Sequence, residues 1–167
     1  MKRLLLTLAF FAFIAVANAQ TTKGRHSFMA SVGYQTEFQR FGFQAQGRYA
    51  ICPYLRIAPD VSFYFPKDQI TGLDINLNFH YVLSLKRVTL YPLAGLSFQT
   101  NFYANSYLVE NEGAMDIMND TGSHFAFNLG GGITYPLSDR CYLNAESKFM
   151  IGTKHNFTFG IGYGYLF

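Results

Sequence analysis

From Asn156 to Phe167 the residues fall into two sorts. Phe157, Phe159, Ile161, Tyr163, Tyr165 and Phe167 occupy odd positions, while Asn156, Thr158, Gly160, Gly162 and Gly164 occupy even ones; Leu166 is the only apolar intruder. A strand points successive side chains to opposite faces. One face of this strand is therefore bulky and apolar, the other small or polar. The same alternation recurs upstream. Phe28, Ala30, Val32 and Tyr34 mark a first strand, and Phe41, Phe43, Ala45, Tyr49 and Ile51 a second, interleaved with Arg40, Gln44, Gln46 and Arg48. After a Cys52-Pro53 turn, Leu55, Ile57, Val61, Phe63 and Phe65 oppose Arg56, Asp60, Ser62 and Tyr64. Leu73, Ile75, Leu77, Phe79, Tyr81 and Leu83 then alternate with Asp74, Asn76, Asn78 and His80.

A turn around Ser84 to Arg87 leads to Leu90, Ala94, Leu96 and Phe98, and the longest irregular stretch follows, Asn101 to Gly122. Beyond it come Phe125, Phe127, Leu129, Ile133 and Tyr135, a Pro136 to Arg140 turn, and Leu143, Ala145, Phe149 and Ile151 facing away from Asn144, Glu146 and Lys148. With the terminal strand the count is eight. Pro66 to Thr71 breaks the pattern between the third and fourth strands, and Pro59 and Pro92 fall inside the third and fifth. A proline removes a ladder donor, so a bulge is expected at each. Short connections after strands two, four and six, with a long one after strand five, match the periplasmic turns and outer loops of a membrane barrel. The pattern predicts an all-β fold, an eight-stranded antiparallel up-and-down transmembrane β-barrel.

Volume decides which face points inward. Eight strands enclose an interior only just wide enough to be filled by side chains. Five or six large apolar groups per strand would overfill it, whereas the Gly, Ala, Ser and Asn of the opposite face would fit. The apolar face therefore meets lipid. The inner face then carries Arg40, Arg48, Arg56, Asp60, Asp74, Glu146 and Lys148. Buried charges require partners, and an ion-pair network plugging the lumen is expected, with Gly130, Gly132, Gly160 and Gly162 making room for Glu146 and Lys148. Tyr49, Tyr81, Tyr135, Tyr165 and Phe167 fall near the inner ends of their strands, as a membrane-facing aromatic belt would.

The first nineteen residues read as a secretory signal peptide: Lys2 and Arg3, an uncharged run from Leu4 to Val16, and Ala17-Asn18-Ala19 as the cleavage site. Residues 20–26 are then a short periplasmic segment and residues 27–167 the barrel. Loss of Lys2 and Arg3 takes the basic count from 13 to 11 against 10 acids, which removes any case for nucleic-acid binding. Charged residues are 14% of the chain, below the roughly 25% of soluble domains. Trp is absent, so 18 Phe and 12 Tyr must supply the interfacial aromatics. Cys52 and Cys141 sit at turns of hairpins far apart around a barrel. Export would permit a disulfide, which needs Cα atoms within about 7 Å, and the sequence leaves their redox state open.

Three pieces carry a family likeness: Leu90-Tyr91-Pro92-Leu93-Ala94-Gly95, the run from Gly130-Gly131-Gly132 to Ser138-Asp139-Arg140, and the alternating end at Phe167. The chain resembles the small outer-membrane β-barrel family of Gram-negative bacteria, the OmpA-like transmembrane domain and OmpX-like proteins. The resemblance implies an integral protein of the cell outer membrane that contacts lipid and lipopolysaccharide. It also implies that Phe167 ends a signal read by the barrel-assembly machinery. The peptidoglycan-binding domain of full OmpA-like proteins is not expected here, and neither is its anchoring role.

Three functions compete. The first is a non-enzymatic barrel with a structural role and a surface interaction through the 101–122 loop. That loop carries Glu110, Glu112, Asp116 and Asp120 with no Lys or Arg. Its acids suit a partner surface or a divalent ion bridging lipopolysaccharide, although Asp116 and Asp120 lack the spacing of a calcium loop. The extracellular partner has no name in the sequence. The second is a small-solute, porin-like pore; eight strands leave no aqueous channel of porin size, so this reading is confined to a narrow or transient conductance. The third is a lipid A-modifying enzyme, which needs a nucleophile and a base within hydrogen-bond reach. Ser123 and His124 are adjacent and so face opposite ways, His80 faces the lumen, and His155 lies in a short loop with no evident Ser partner. No catalytic residue, cofactor or resident metal is expected. Gly130-Gly131-Gly132 precedes no helix, so it is no phosphate-binding loop.

Overall fold

The computed structural model describes residues 23–103, 120–153 and 155–167. Its strands are β1 (His26–Gln35), β2 (Arg40–Cys52), β3 (Leu55–Lys67), β4 (Ile70–Tyr81), β5 (Leu83–Ser84), β6 (Thr89–Tyr103), β7 (Asp120–Pro136), β8 (Cys141–Gly152) and β9 (Asn156–Leu166). Each pairs antiparallel with its sequence neighbour except across β4–β5, and β1 also pairs with β9, from Ser27↔Leu166 to Gln35↔Thr158. The sheet is thereby closed. β4 and β5 are two parts of one stave, since both pair with β6 in a single register from Ile70↔Tyr103 to Ser84↔Thr89. The barrel has eight staves. Closure leaves no open edge, which is how a sheet satisfies its backbone in lipid. No helix among the described residues is long and apolar enough to cross a membrane.

Outward residues are apolar in every stave. In β9, Phe157, Phe159, Ile161, Tyr163 and Tyr165 are exposed while Asn156 and Thr158 are buried. Burial here follows polarity in reverse of a water-soluble protein. The buried set is dominated by Gln, Asn, Ser and charged residues, and the exposed set by Phe, Leu, Ile and Val.

The prolines produce no bulge. Pro59 pairs with Leu77, and Pro92 with Gly131, with no register shift at either. Each proline instead lies beside a gap on its stave's other flank. β2–β3 pairing is interrupted between Gln46↔Asp60 and Tyr49↔Ile57, and the β4–β5 break at Val82 falls opposite Tyr91-Pro92. The Val82 N–H is satisfied elsewhere, by the Tyr54 carbonyl at 2.8 Å. A missing donor needs only one vacant ladder position, so the chain keeps its register. The shifts that do occur lie at Ala50/Cys52 and Tyr64/Lys67, next to turns.

Two predicted boundaries also move. The Pro66 to Thr71 break is a tight hairpin, with positive φ at Asp68 (50°) and Gln69 (64°), the signature of a primed turn whose twist matches its strands. The irregular stretch begins later than Asn101 and ends before Gly122, because β6 and β7 remain paired out to Tyr103↔Asp120. Asn101 is buried and Phe102 exposed, so alternation persists beyond the last large apolar residue used to mark the strand. Residues 104–119, the predicted signal peptide and residues 20–22 of the segment expected before the barrel lie outside the described residues. Both cysteines are free.

Both termini of the barrel and the turns at residues 53–54, 85–88 and 137–140 share one end, called here the terminus end. That end is stitched by Phe167 N–H to the His26 carbonyl (3.0 Å) and Leu166 N–H to the Arg140 carbonyl (2.7 Å).

Candidate functional site

The inner face is the part of the molecule with chemistry in it. Arg40, Arg48, Asp60, Asp74, Glu146 and Lys148 are all buried, because alternation turns each inward from its strand. Four of the seven predicted charges meet directly. Lys148 Nζ lies 3.1 Å from Asp60 Oδ2 and 3.8 Å from Glu146 Oε1, and Arg48 lies 3.5 Å from Glu146 Oε2. The Lys148–Asp60 and Arg48–Glu146 pairs join β8 to β3 and β2, staves that are not neighbours, so they cross the interior. Neutral side chains complete the shells. Asp60 accepts from Asn76 (2.7 Å), Asn78 (2.8 Å) and Ser62 (3.3 Å), and Asn128 reaches from β7 to Asn76 and Asn78 on β4.

The other three charges sit apart from this group. Arg40, towards the end opposite the termini, donates to Gln35, to Asn101 (2.7 Å) and to the Ile70 carbonyl. Asp74 meets Gln99 at 3.5 Å, and Gln99 also reaches Met150 on β8. Arg56, towards the terminus end, donates to His80 Nδ1 at 3.0 Å and lies 4.9 Å from the centre of the Tyr91 ring. Among the described residues Arg56 makes no ion pair.

Glycine positions explain how so much fits, though differently from the expectation. Glu146 does sit between Gly132 and Gly160, but Lys148 sits between Gly130 and Thr158, and Gly162 faces Asn144. The free space goes chiefly to phenol rings. Tyr64, Tyr91 and Tyr142 point inward, are almost fully buried, and lie directly across the ladder from Gly42, Gly132 and Gly164. A Cβ at Gly132 or Gly164 would collide with the ring opposite, and one at Gly42 would fall 2.6 Å from Tyr64. A planar ring lying over bare backbone covers it closely, the same device that shields glycine in designed sheets. The Tyr91 hydroxyl then becomes a junction, 2.8 Å from both Asn144 Oδ1 and Glu146 Oε2 and accepting from Arg48 at 3.0 Å. The phenol of Tyr142 reaches Ser27 at 3.0 Å. Neither Tyr91 nor Tyr142 was marked by the alternation, yet Tyr142 shares the parity of Asn144 and Glu146, a signal sufficient to have found it.

Tyr49, Tyr81, Tyr135, Tyr165 and Phe167 are all exposed at the terminus end. Glu110, Glu112 and Asp116 lie outside the described residues, and Asp120 begins β7. The candidate catalytic groups do not assemble. His80 is fully buried and stacked 4.5 Å from Tyr91, Ser123 is within 3.2 Å of the Thr100 hydroxyl, and His155 stacks on Phe149. Among the described residues no group of three His, Cys, Asp or Glu side chains is placed to hold a metal.

Residues 5–167 match the outer membrane protein beta-barrel domain family. The outer membrane protein Omp26La of Vibrio anguillarum is 30% identical over 95 residues, covering 53% of this chain and 37% of that protein. OmpV of Vibrio cholerae is 28% identical over the same length. The chain thus spans little more than a third of these relatives. Among solved structures, the N-terminal β-barrel domain of Pseudomonas aeruginosa OprF superposes with a TM-score of 0.67 at 17% identity, covering 88% of this chain and all of that one. Ail, the attachment invasion locus protein of Yersinia pestis, gives 0.62 at 14% identity over 87% of this chain and all of that one. Likeness at this level of identity is likeness of fold.

Proposed function

The chain belongs to the outer membrane protein β-barrel domain family and is a protein of the outer membrane, and from that premise we propose that it is a non-enzymatic integral barrel whose lumen is closed by its own side chains. Its role is structural, and it presents the segment between β6 and β7 at the cell surface. The terminus end faces the periplasm, after export and removal of the leader. The single observation that supports closure is the set of bonds crossing the barrel axis, Lys148 to Asp60 foremost. A solute passing through would have to separate buried ion pairs and leave their charges uncompensated, which is strongly unfavourable. The enzyme reading draws no support from His80 and His155, which stack on aromatic rings, or from Ser123, which sits beside the Thr100 hydroxyl.

Reconstitution in planar lipid bilayers tests closure. The protein should insert and give no sustained current at about 100 mV, a drive of roughly 2.3 kcal/mol per charge. Long-lived openings of uniform size would overturn the closed lumen and favour the pore. A variant lacking the central pair, Asp60→Ser with Lys148→Ser, should leak where the native chain does not.

A further inference from the structure

At the terminus end the barrel mouth opens into a cavity of about 260 Å³. Four charged side chains line it, Arg25, Arg56, Lys86 and Arg87, and all four are cations. They come from different parts of the chain. Arg25 precedes β1, Arg56 stands on β3 at the inner limit, and Lys86 and Arg87 are in the turn between β5 and β6. Ser84 and Thr89 add hydroxyls to the same wall.

The inner charges explain why this mouth is electropositive. Among the described residues the predicted inward charges are Arg40, Arg48, Arg56 and Lys148 against Asp60, Asp74 and Glu146, four cations to three acids. Glu146 is engaged by Arg48 and Lys148, and Asp60 by Lys148. Among the described residues, Arg56 has the His80 ring nitrogen and the face of Tyr91 as its partners. Arg56 is half-buried in the wall of this mouth with no counter-ion among the described residues, and its planar fork matches a phosphate's oxygens. Concave walls of one charge also focus their field into the cavity.

We propose that this mouth is a binding site for a phosphate group, with Arg56 as its floor and Lys86 and Arg87 as its rim. The phosphate comes either from a soluble multiply charged anion or from an anionic lipid headgroup of the leaflet at that end, and the chemistry is the same for both.

Inorganic pyrophosphate is the probe, titrated by calorimetry against the chain in phosphatidylcholine nanodiscs at about 0.1 M salt, where only charges within roughly 10 Å act strongly. Binding should saturate at one pyrophosphate per barrel. The double variant Lys86→Ala with Arg87→Ala should weaken it about tenfold or more, since charge-assisted bonds to phosphate are the strong ones. Arg56→Gln should abolish saturation; the rim variant, confined to a turn, keeps the test valid if that variant does not fold. Lys23→Ala with Arg140→Ala removes the same charge from the same end but off the cavity, and should leave affinity within about twofold. Non-saturating titration, or equal loss from the two double variants, overturns the site. Adding phosphatidylglycerol to the discs then identifies the source: competition with pyrophosphate assigns a lipid headgroup, and independence assigns a soluble anion.

Discussion

Asp60 shows what a single side chain does in this interior. It accepts hydrogen bonds from Asn76, Asn78, Ser62 and Lys148, and it is the closest carboxylate to the Lys148 ammonium. Truncation to alanine removes the closer of the two carboxylates paired with Lys148 and leaves Glu146, at 3.8 Å. Breaking one side of a buried pair costs more than removing both. Asp60→Ala should therefore destabilise the barrel by about 3–5 kcal/mol in urea unfolding from lipid vesicles, and Asp60→Leu with Lys148→Met by clearly less. A loss under about 1 kcal/mol for the single variant would mean that water already solvates the pair. Parity in the sequence was enough to turn these charges inward. Which of them meet was not legible, because partners on non-neighbouring staves depend on how the closed sheet is staggered. Asp60 and Lys148 therefore came together while Arg56, on the same strand as Asp60, did not.

At the scale of the element, β9 was the most legible strand, because glycine alternating with aromatics leaves no second reading of its faces. β6 was the least. Leu90-Tyr91-Pro92-Leu93 is apolar at every position, so its period is hidden, and the inward turn of Tyr91 could be seen only once Gly132 stood opposite. The prolines illustrate a related limit. A sequence tells that a donor is missing but not on which flank a gap will absorb it. The outward face of β9 carries its own prediction. Ile161 is 63% exposed and lies mid-strand, level with Val32 on β1 and Ala145 on β8. Ile161→Arg should cost about 2–4 kcal/mol in folding into vesicles, the depth-dependent penalty for a cation facing acyl chains. A cost-free substitution would place that face in water and with it undo the membrane reading.

For the whole molecule, the two ends differ in kind. One is stitched through both termini and short turns, while the other bears the segment of residues 104–119. β6 and β7 are still in register at Tyr103↔Asp120, so a two-residue Asn-Gly hairpin can replace that segment without disturbing a stave. The shortened chain should fold with an unchanged urea midpoint and lose whatever surface partner is cross-linked to the native chain on intact cells. Full retention of that partner would take the segment out of the proposed function. Nothing in the outward face asks for such care, since acyl chains accept any apolar shape. The inward rings are another matter. Tyr64, Tyr91 and Tyr142 each rest on a glycine of the adjoining stave, so each couple is a joint inheritance: enlarge the glycine and the tyrosine must go, shrink the tyrosine and a hole opens over naked main chain. The lineage of this barrel can drift freely on its skin, but inside it has to mutate two positions at a time.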